Sequence, residues 1–197
     1  FANGHLNSVS GDNRQSNLLF ENDGRGRFTD ISEKSGVLAT GDRIHRSAIF
    51  ADYDDDGRVD IFVTVNGQQV EDGQGNNIFD PNQGKGILFH NETKSDNNWL
   101  KVRLEGTKSN RDGFGATVSI TAGPVKDEQA LISGQGYFST NAKEIYFGLG
   151  SIDTIEKIDV SWPSGIDQTF ENIPANQTVY IVEGETLHQN TLYLSIK

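Results

Sequence analysis

Five aspartates fall within nine residues in the stretch DYDDDGRVD, which runs from Asp52 to Asp60. Asp52, Asp54, Asp56 and Asp60 occupy positions 1, 3, 5 and 9 of this stretch. Two carboxylates about 4 Å apart near a protein surface repel each other by roughly 4 kcal/mol at an effective dielectric of about 20. A folded loop that carries several of them therefore requires water, a basic partner or a cation to offset this repulsion.

The spacing of this acidic loop (residues 52–60) favours Ca²⁺ as the compensating ion. Carboxylates at alternating positions point toward one centre, and Gly57 at position 6 permits a sharp turn. Ca²⁺ takes about six to eight oxygen ligands, whereas Mg²⁺ retains several waters and Zn²⁺ favours His or Cys. The sequence therefore predicts a calcium site, and the alternative is a solvated acidic β-turn. The ligands predicted from this spacing are the carboxylates of Asp52, Asp54 and Asp56, to which the backbone carbonyl of Arg58 can add an oxygen; a family resemblance given below adds Asp60 to the set.

The acidic loop does not match an EF-hand, and a second set of acidic residues lies further along the chain. An EF-hand requires flanking helices and a glutamate at position 12, but position 12 is Val63 and both flanks are typical of β-strands. The segment from Asn66 to Gly86 is predicted to be a long polar loop. A second metal site on its acids Glu71, Asp72 and Asp80 remains open, although their irregular spacing favours a solvated loop.

Composition excludes several classes of function. The chain has 197 residues and a formal net charge of −11, from 28 acidic and 17 basic side chains. Binding to a phosphate backbone needs clustered Lys and Arg, so we expect no nucleic-acid partner. No apolar run approaches the roughly 18 residues of a membrane span. Cysteine is absent, which removes disulfides and thiolate sites, and the absence of methionine indicates a processed product or part of a longer chain.

The 22 glycines, the Asn/Asp/Ser-rich turns and the short alternating apolar runs predict an all-β fold. Thirteen candidate strands follow from these runs, one of them at EQALISG (residues 128–134), and DISEKSGV is predicted to form a single helical turn. Trp99 is expected to anchor the core rather than to form a sugar-binding platform. In the C-terminal half the residues predicted to face inward are Val102, Leu104, Val118, Ile120, Ile145, Phe147, Ile158, Val160, Trp162, Val179 and Ile181.

Two specific resemblances extend this interpretation. SAIFADYDDDGRVDIFVTVNG and NLLFENDGRGRFTDISEKSGV resemble the FG-GAP/VCBS-type repeat of integrin-like β-propellers, in which aspartates at positions 1, 3, 5 and 9 bind calcium. NWLKVRLEGTKSNRDGFGATVSITAG, SGQGYFSTNAKEIYFGLG and KIDVSWPSG resemble the ASPIC/UnbV domain, which commonly follows such repeats in secreted proteins. The resemblances imply an incomplete propeller over residues 1–97, a β-sandwich-like domain over 98–184, and a tail over 185–197 with an extra or exchanged strand.

The function expected from the sequence is that of an extracellular, calcium-stabilised adhesion or structural module without catalytic activity. No catalytic activity is expected, since the histidines are scattered and no catalytic motif appears. The alternative is a carbohydrate-binding or carbohydrate-processing module of a larger secreted enzyme. Asn91 and Asn176 begin N-glycosylation sequons, whose use depends on the secretory route.

Residues 1–97 supply fewer than two blades, whereas a closed propeller needs about 4–8. Their strand edges therefore require further blades in a longer precursor, docking on the sandwich, or another subunit. Strand exchange through TLYLSIK, Thr191 to Lys197, would build a filament if the contact is head-to-tail. We expect a protein partner or self-association, with a glycan as the other possible ligand.

Overall fold

The computed structural model describes residues 2, 15–41, 43–66, 68–71, 74, 77–80 and 84–186, with only the backbone described at 68–71 and 77–80. The described chain is all-β, as predicted, and it includes a short 3₁₀ helix, Val37–Thr40. The strands are β1 (Phe20–Asn22), β2 (Phe28–Asp30), β3 (His45–Ala51), β4 (Asp60–Val65), β5 (Gln68–Glu71), β6 (Asn77–Asp80), β7 (Ile87–Phe89), β8 (Asn98–Glu105), β9 (Thr117–Ala122), β10 (Val125–Ala130), β11 (Glu144–Gly150), β12 (Thr154–Ser161), β13 (Asp167–Pro174) and β14 (Gln177–Val182).

The chain divides into two compact units. The described part of the first unit comprises residues 2, 15–53, 59–92 and 134–140. It contains a three-stranded sheet, β3-β4-β7, and two separate pairs, β1-β2 and β5-β6, all of them antiparallel. The described sheets are small and open, in accordance with the predicted partial propeller.

The second unit comprises residues 54–58, 93–133 and 141–186 of the described chain. A four-stranded antiparallel sheet has the order β10-β9-β12-β13, and a three-stranded sheet has the order β11-β8-β14 with β14 parallel to β8. One hydrophobic core contains residues from both sheets, which agrees with the predicted sandwich-like domain. The domain bounds at residues 97/98 and 184/185 stay predictions.

The period-2 pattern identified the core of the second unit correctly. All eleven residues predicted to face inward are buried, and the most exposed of them is Leu104 at 8%. Ile158 is fully buried and pairs in register with Ile120 on one side and Phe170 on the other. Trp162 is buried as expected, whereas Trp99 is half-buried. Alternation therefore fixed the face of each strand, because a shift of one residue would expose the whole set.

The helical turn expected within DISEKSGV is present: the Ser35 N–H donates to the Ile31 carbonyl at 2.8 Å, and a 3₁₀ helix, Val37–Thr40, follows. The structure differs from two other local expectations. The expected long loop at 66–86 contains the hairpin β5-β6, in which Val70 pairs with Ile78. Val70, Ile78 and Phe79 are residue types that favour strands, and the sequence between the two strands contains two glycines. The strand expected at EQALISG begins earlier, at Val125, because Gly123 and Pro124 turn the chain there.

Several expectations fall outside the described residues. TLYLSIK and the rest of 187–197 lie there. Asp72 also lies outside, as do the side chains of Glu71 and Asp80, so the second metal site stays a prediction.

Candidate metal centre

The acidic loop connects two paired strands, as the sequence predicted. β3 and β4 pair antiparallel, and Ala51 lies opposite Asp60, so residues 52–59 close a hairpin. Asp55 and Gly57 adopt left-handed backbone conformations, with φ of 60° and 85°. Aspartate tolerates this region better than most residues, and glycine enters it at no steric cost. A Cβ atom at Gly57 would also lie 2.1 Å from Nε1 of Trp99, so glycine is required there for space as well.

The turn brings three carboxylates of this loop together. Asp52, Asp54 and Asp56 each offer an oxygen, and these oxygens lie within 4.8 Å of one another. Asp52 is buried, Asp56 is half-buried and Asp54 is exposed. Such a set is all-oxygen and carries a formal charge of −3 when ionised, which fits a hard cation such as Ca²⁺. The donor chemistry of these three residues therefore agrees with the ligand set expected from the sequence.

Asp60 occupies a more structural position than the other predicted ligands. It is only 2% exposed, and its Oδ1 accepts the Asn91 N–H at 2.7 Å while its Oδ2 accepts the Tyr53 N–H at 3.3 Å. Nδ1 of His90 lies 3.2 Å from Oδ1 of Asp60. One potential ligand atom from each of Asp54, Asp60 and His90 lies within 4.8 Å of the others. Asp54 therefore belongs both to this cluster and to the cluster of Asp52, Asp54 and Asp56.

His90 is a residue that sequence analysis did not assign to the site. Ile61 pairs with Phe89, which places His90 beside Asp60 at the start of β4. Pairing GILFH against DIFV in register would have revealed this neighbour, because residues opposite each other in an antiparallel pair lie within about 5.5 Å. The ring of His90 also meets Tyr53 edge-on, with centroids 5.7 Å apart.

Arg58 was expected to contribute only its backbone carbonyl. In the structure its backbone N–H donates to Oδ1 of Asp56 at 2.8 Å, and its guanidinium contacts Oδ2 of the same carboxylate. The Arg58 side chain therefore neutralises part of the charge at Asp56. A cation bound by Asp56 would compete with this guanidinium.

The tip of the acidic loop is held by a buried lysine of β8. The Lys101 side chain is fully buried, and its Nζ lies 2.5 Å from Oδ1 of Asp55. The hydrogen bond from Lys101 lowers the pKa of the Asp55 carboxyl below its ordinary value. Nζ of Lys101 also lies 5.9 Å from the centre of the Trp99 ring. Sequence alternation placed Lys101 on the polar face of β8, but it did not predict that the Lys101 side chain would be buried.

The buried carboxylate of Glu183 organises the loops of the second unit. Oε2 of Glu183 accepts the backbone N–H groups of Thr107, Lys108 and Ser109 at 2.7–2.8 Å, and the Ser109 and Ser164 hydroxyls donate to Oε1. Burial opposes ionisation of Glu183, but the donors from Ser109, Ser164 and Lys108 outweigh it and lower its pKa to about 2. Both carboxylate oxygens of Glu183 therefore accept hydrogen bonds from the protein itself, which makes Glu183 a structural anchor.

Both sequon asparagines take part in hydrogen bonds. Nδ2 of Asn91 donates to the Val59 carbonyl at 3.1 Å, and Nδ2 of Asn176 donates to Oδ1 of Asn98 at 2.7 Å. Nδ2 is the atom to which a glycan would be attached. Each asparagine thus has a structural role that is independent of glycosylation.

Comparison with protein families agrees with the geometry of both halves. A model described as an FG-GAP-like repeat matches residues 2–63, and a model described as ASPIC and UnbV matches residues 106–188. No curated protein matches the chain. Domains of these two kinds are typical of extracellular or secreted proteins. Within the described residues, no helix has the length and apolar character that crossing a membrane requires.

Proposed function

We propose that this chain, which carries an FG-GAP-like repeat followed by an ASPIC/UnbV domain, is an extracellular structural or adhesion module stabilised by Ca²⁺ and associated through its strand edges. The proposal assigns the chain no catalytic step. The observation that carries it is the convergence of Asp52, Asp54 and Asp56 in a hairpin loop.

Calcium has a clear energetic role at this loop. The three carboxylates lie close enough to repel one another, and the Arg58 guanidinium offsets part of this charge at Asp56. A cation that enters the group replaces repulsion with attraction and binds mainly the folded loop. Extracellular calcium modules bind at about 10⁻⁴–10⁻³ M. Under millimolar calcium the ion therefore stabilises the repeat by mass action.

The sheets of the first unit support the association part of the proposal. Two of its three described sheets have only two strands, and a two-stranded sheet alone is marginally stable in water. On β4 and β7, Phe62 and Leu88 lie opposite each other and are 40% and 48% exposed. An open sheet with an exposed apolar pair has both unpaired edges and apolar area to bury. A second copy of the chain would satisfy both requirements.

Sedimentation velocity over a hundredfold range of protein concentration, in 2 mM Ca²⁺ and in EDTA, tests this association. We expect larger species at high concentration in calcium, and we expect deletion of residues 188–197 to shift the distribution if the tail takes part. L88S should weaken association, whereas L38S should not, because Leu38 is 38% exposed but lies on the 3₁₀ helix outside the sheets.

Two results would contradict self-association. One is a wild-type chain that remains monomeric at every concentration with calcium. The other is a distribution that neither L88S nor the deletion changes. Calcium binding is measured separately, by calorimetry, so that the two parts of the proposal can fail independently.

A further inference from the structure

Residues 134–140, Gly-Gln-Gly-Tyr-Phe-Ser-Thr, form a loop of the first unit that presents two aromatic rings to solvent. Phe138 is 94% exposed and Tyr137 is 50% exposed. Their ring centroids lie 4.7 Å apart, and the ring planes are nearly perpendicular at 87°. We name this segment the aromatic loop. Exposure of two adjacent aromatic rings is costly in water, so their position calls for a physical explanation.

The aromatic loop is held in place by its own small polar residues. The Gly134 N–H donates to Oγ1 of Thr140 at 3.1 Å, and Oγ of Ser139 donates to the Gln135 carbonyl at 3.1 Å. The Ser139 hydroxyl also contacts the Ser47 hydroxyl on β3. A Cβ at Gly136, where φ is 90°, would come within 2.7 Å of both hydroxyls, so the loop packs tightly beneath the rings. A fixed loop loses less conformational entropy when a ligand binds to it.

Phe138 has a backbone conformation that disfavours its own side chain. Its φ is 50°, in the left-handed region, where a bulky non-glycine residue is a genuine outlier. Such strained conformations are energetically costly and concentrate at binding and active sites. Packing does not account for the ring at this position, because the described residues leave 94% of it uncovered.

The surroundings of the rings indicate the chemistry of a ligand. Residues 129–142 contain no charged side chain, in a chain in which 23% of residues are charged. The net charge of −11 disfavours anionic surfaces such as nucleic acids and acidic lipids. The aromatic loop instead supplies two aromatic rings together with the Tyr137 hydroxyl. Aromatic faces complement the C–H faces of sugar rings, and a phenolic hydroxyl complements sugar hydroxyls.

We propose that the aromatic loop is a binding site for neutral glycans, in which a sugar ring stacks on Phe138 and the Tyr137 hydroxyl bonds to a sugar hydroxyl. Phe138 is almost fully exposed, so its ring is accessible to a ligand, and the Tyr137 ring lies beside it at a nearly perpendicular angle. A mostly apolar surface with a few placed polar groups is the usual composition of a ligand site. This site is separate from the calcium-binding and association roles proposed above.

The test compares retention on three neutral polysaccharides, namely insoluble cellulose, chitin and β-1,3-glucan, for wild type and variants of the full chain. F138G removes the ring and replaces it with the residue that φ of 50° favours, so the fold should be retained or stabilised. We expect wild type to bind at least one polysaccharide, F138G to bind at least about tenfold more weakly, and Y137F to show an intermediate loss.

The matched control is F28A, which removes a phenylalanine that is 65% exposed on β2 and should leave retention unchanged. Unfolding curves for each variant confirm that the fold is intact. Phosphatidylcholine vesicles serve as a second probe, because a lipid surface could also accept exposed aromatic rings. The proposal is overturned by a wild type that binds none of the three polysaccharides, by binding to vesicles only, or by an F138G variant that binds as wild type does.

Discussion

The two partners of the ion pair between Lys101 and Asp55 differ in burial, and we therefore predict that removing each one changes the stability by a different amount. The Lys101 side chain is fully buried, whereas the Asp55 side chain is 67% exposed. The perturbations are D55N, which removes the carboxylate but keeps a residue that tolerates φ of 60°, and K101M, which removes the buried charge. We expect D55N to destabilise the second unit more than K101M does.

The magnitude follows from the burial of each partner. Removing one member of a fully buried ion pair costs about 3–5 kcal/mol, because the other charge stays buried. Water reaches Asp55, and Arg103 also lies 3.7 Å from it, so the expected cost of D55N is smaller, about 1–2 kcal/mol. Methionine fills a volume similar to that of lysine without a charge, so K101M should change stability by less than about 1 kcal/mol. In the double variant the cost of D55N should largely disappear.

The assay is urea unfolding followed by tryptophan fluorescence. Both tryptophans, Trp99 and Trp162, lie in the second unit, so the signal reports the unfolding of that unit. The matched control is D112N, since Asp112 pairs with Lys143 at 2.7 Å with both side chains about half exposed. Such a surface pair contributes about 0–1 kcal/mol. A D55N variant no less stable than K101M, or a coupling energy in the double-mutant cycle below about 0.5 kcal/mol, would refute the reasoning.

Three other predictions address the core, the pH dependence and the metal. I158D should prevent folding of the second unit and D159A should reduce its stability only slightly, because Ile158 is fully buried and Asp159 is not. Circular dichroism measures both effects, and equal losses of structure would show the strand register to be wrong. The folded pKa of Glu183, about 2, lies below its ordinary value of 4.5, so its stabilisation should be complete above pH 4.5 and be lost as pH falls toward 2. E183Q should lack that part of the pH dependence in acid titrations of stability. R58A should bind calcium at least as tightly as wild type in isothermal titration, because the predicted ligand is the backbone carbonyl and the guanidinium competes for Asp56; a large loss of affinity would contradict this.

Periodicity and turn chemistry predicted the fold class and the core of the second unit. Val118, Ile120, Ile158 and Val160 alternate with polar residues, and their strands pair in the structure with these residues opposite one another. The acidic loop was equally predictable, because Gly57 and alternating carboxylates have few other interpretations. These features depend on residues that are close together in the sequence, so they can be predicted from short segments.

The features that sequence analysis missed depend on residues distant in the chain. His90 reaches Asp60 through the pairing of β4 with β7, across 30 positions, and Lys101 reaches Asp55 across 46. Glu183 organises a loop more than 70 positions away, although it resembles an ordinary acid at the end of a strand. Period-2 patterns assign residues to faces but do not show which polar face becomes covered, and this limited the prediction of the site.

Calorimetric unfolding in 2 mM Ca²⁺ and in EDTA tests the central claim most directly, with wild type, D54N and the control D112N. Asp54 is exposed and belongs to both clusters of potential metal ligands, so D54N should weaken calcium binding without disturbing the core. For a dissociation constant of about 0.2 mM, 2 mM calcium adds about 1.4 kcal/mol to the stability of the unit that binds it. We predict a calcium-dependent rise in the melting temperature of wild type and D112N and a much smaller rise in D54N. Identical unfolding curves for wild type with and without calcium would contradict the account.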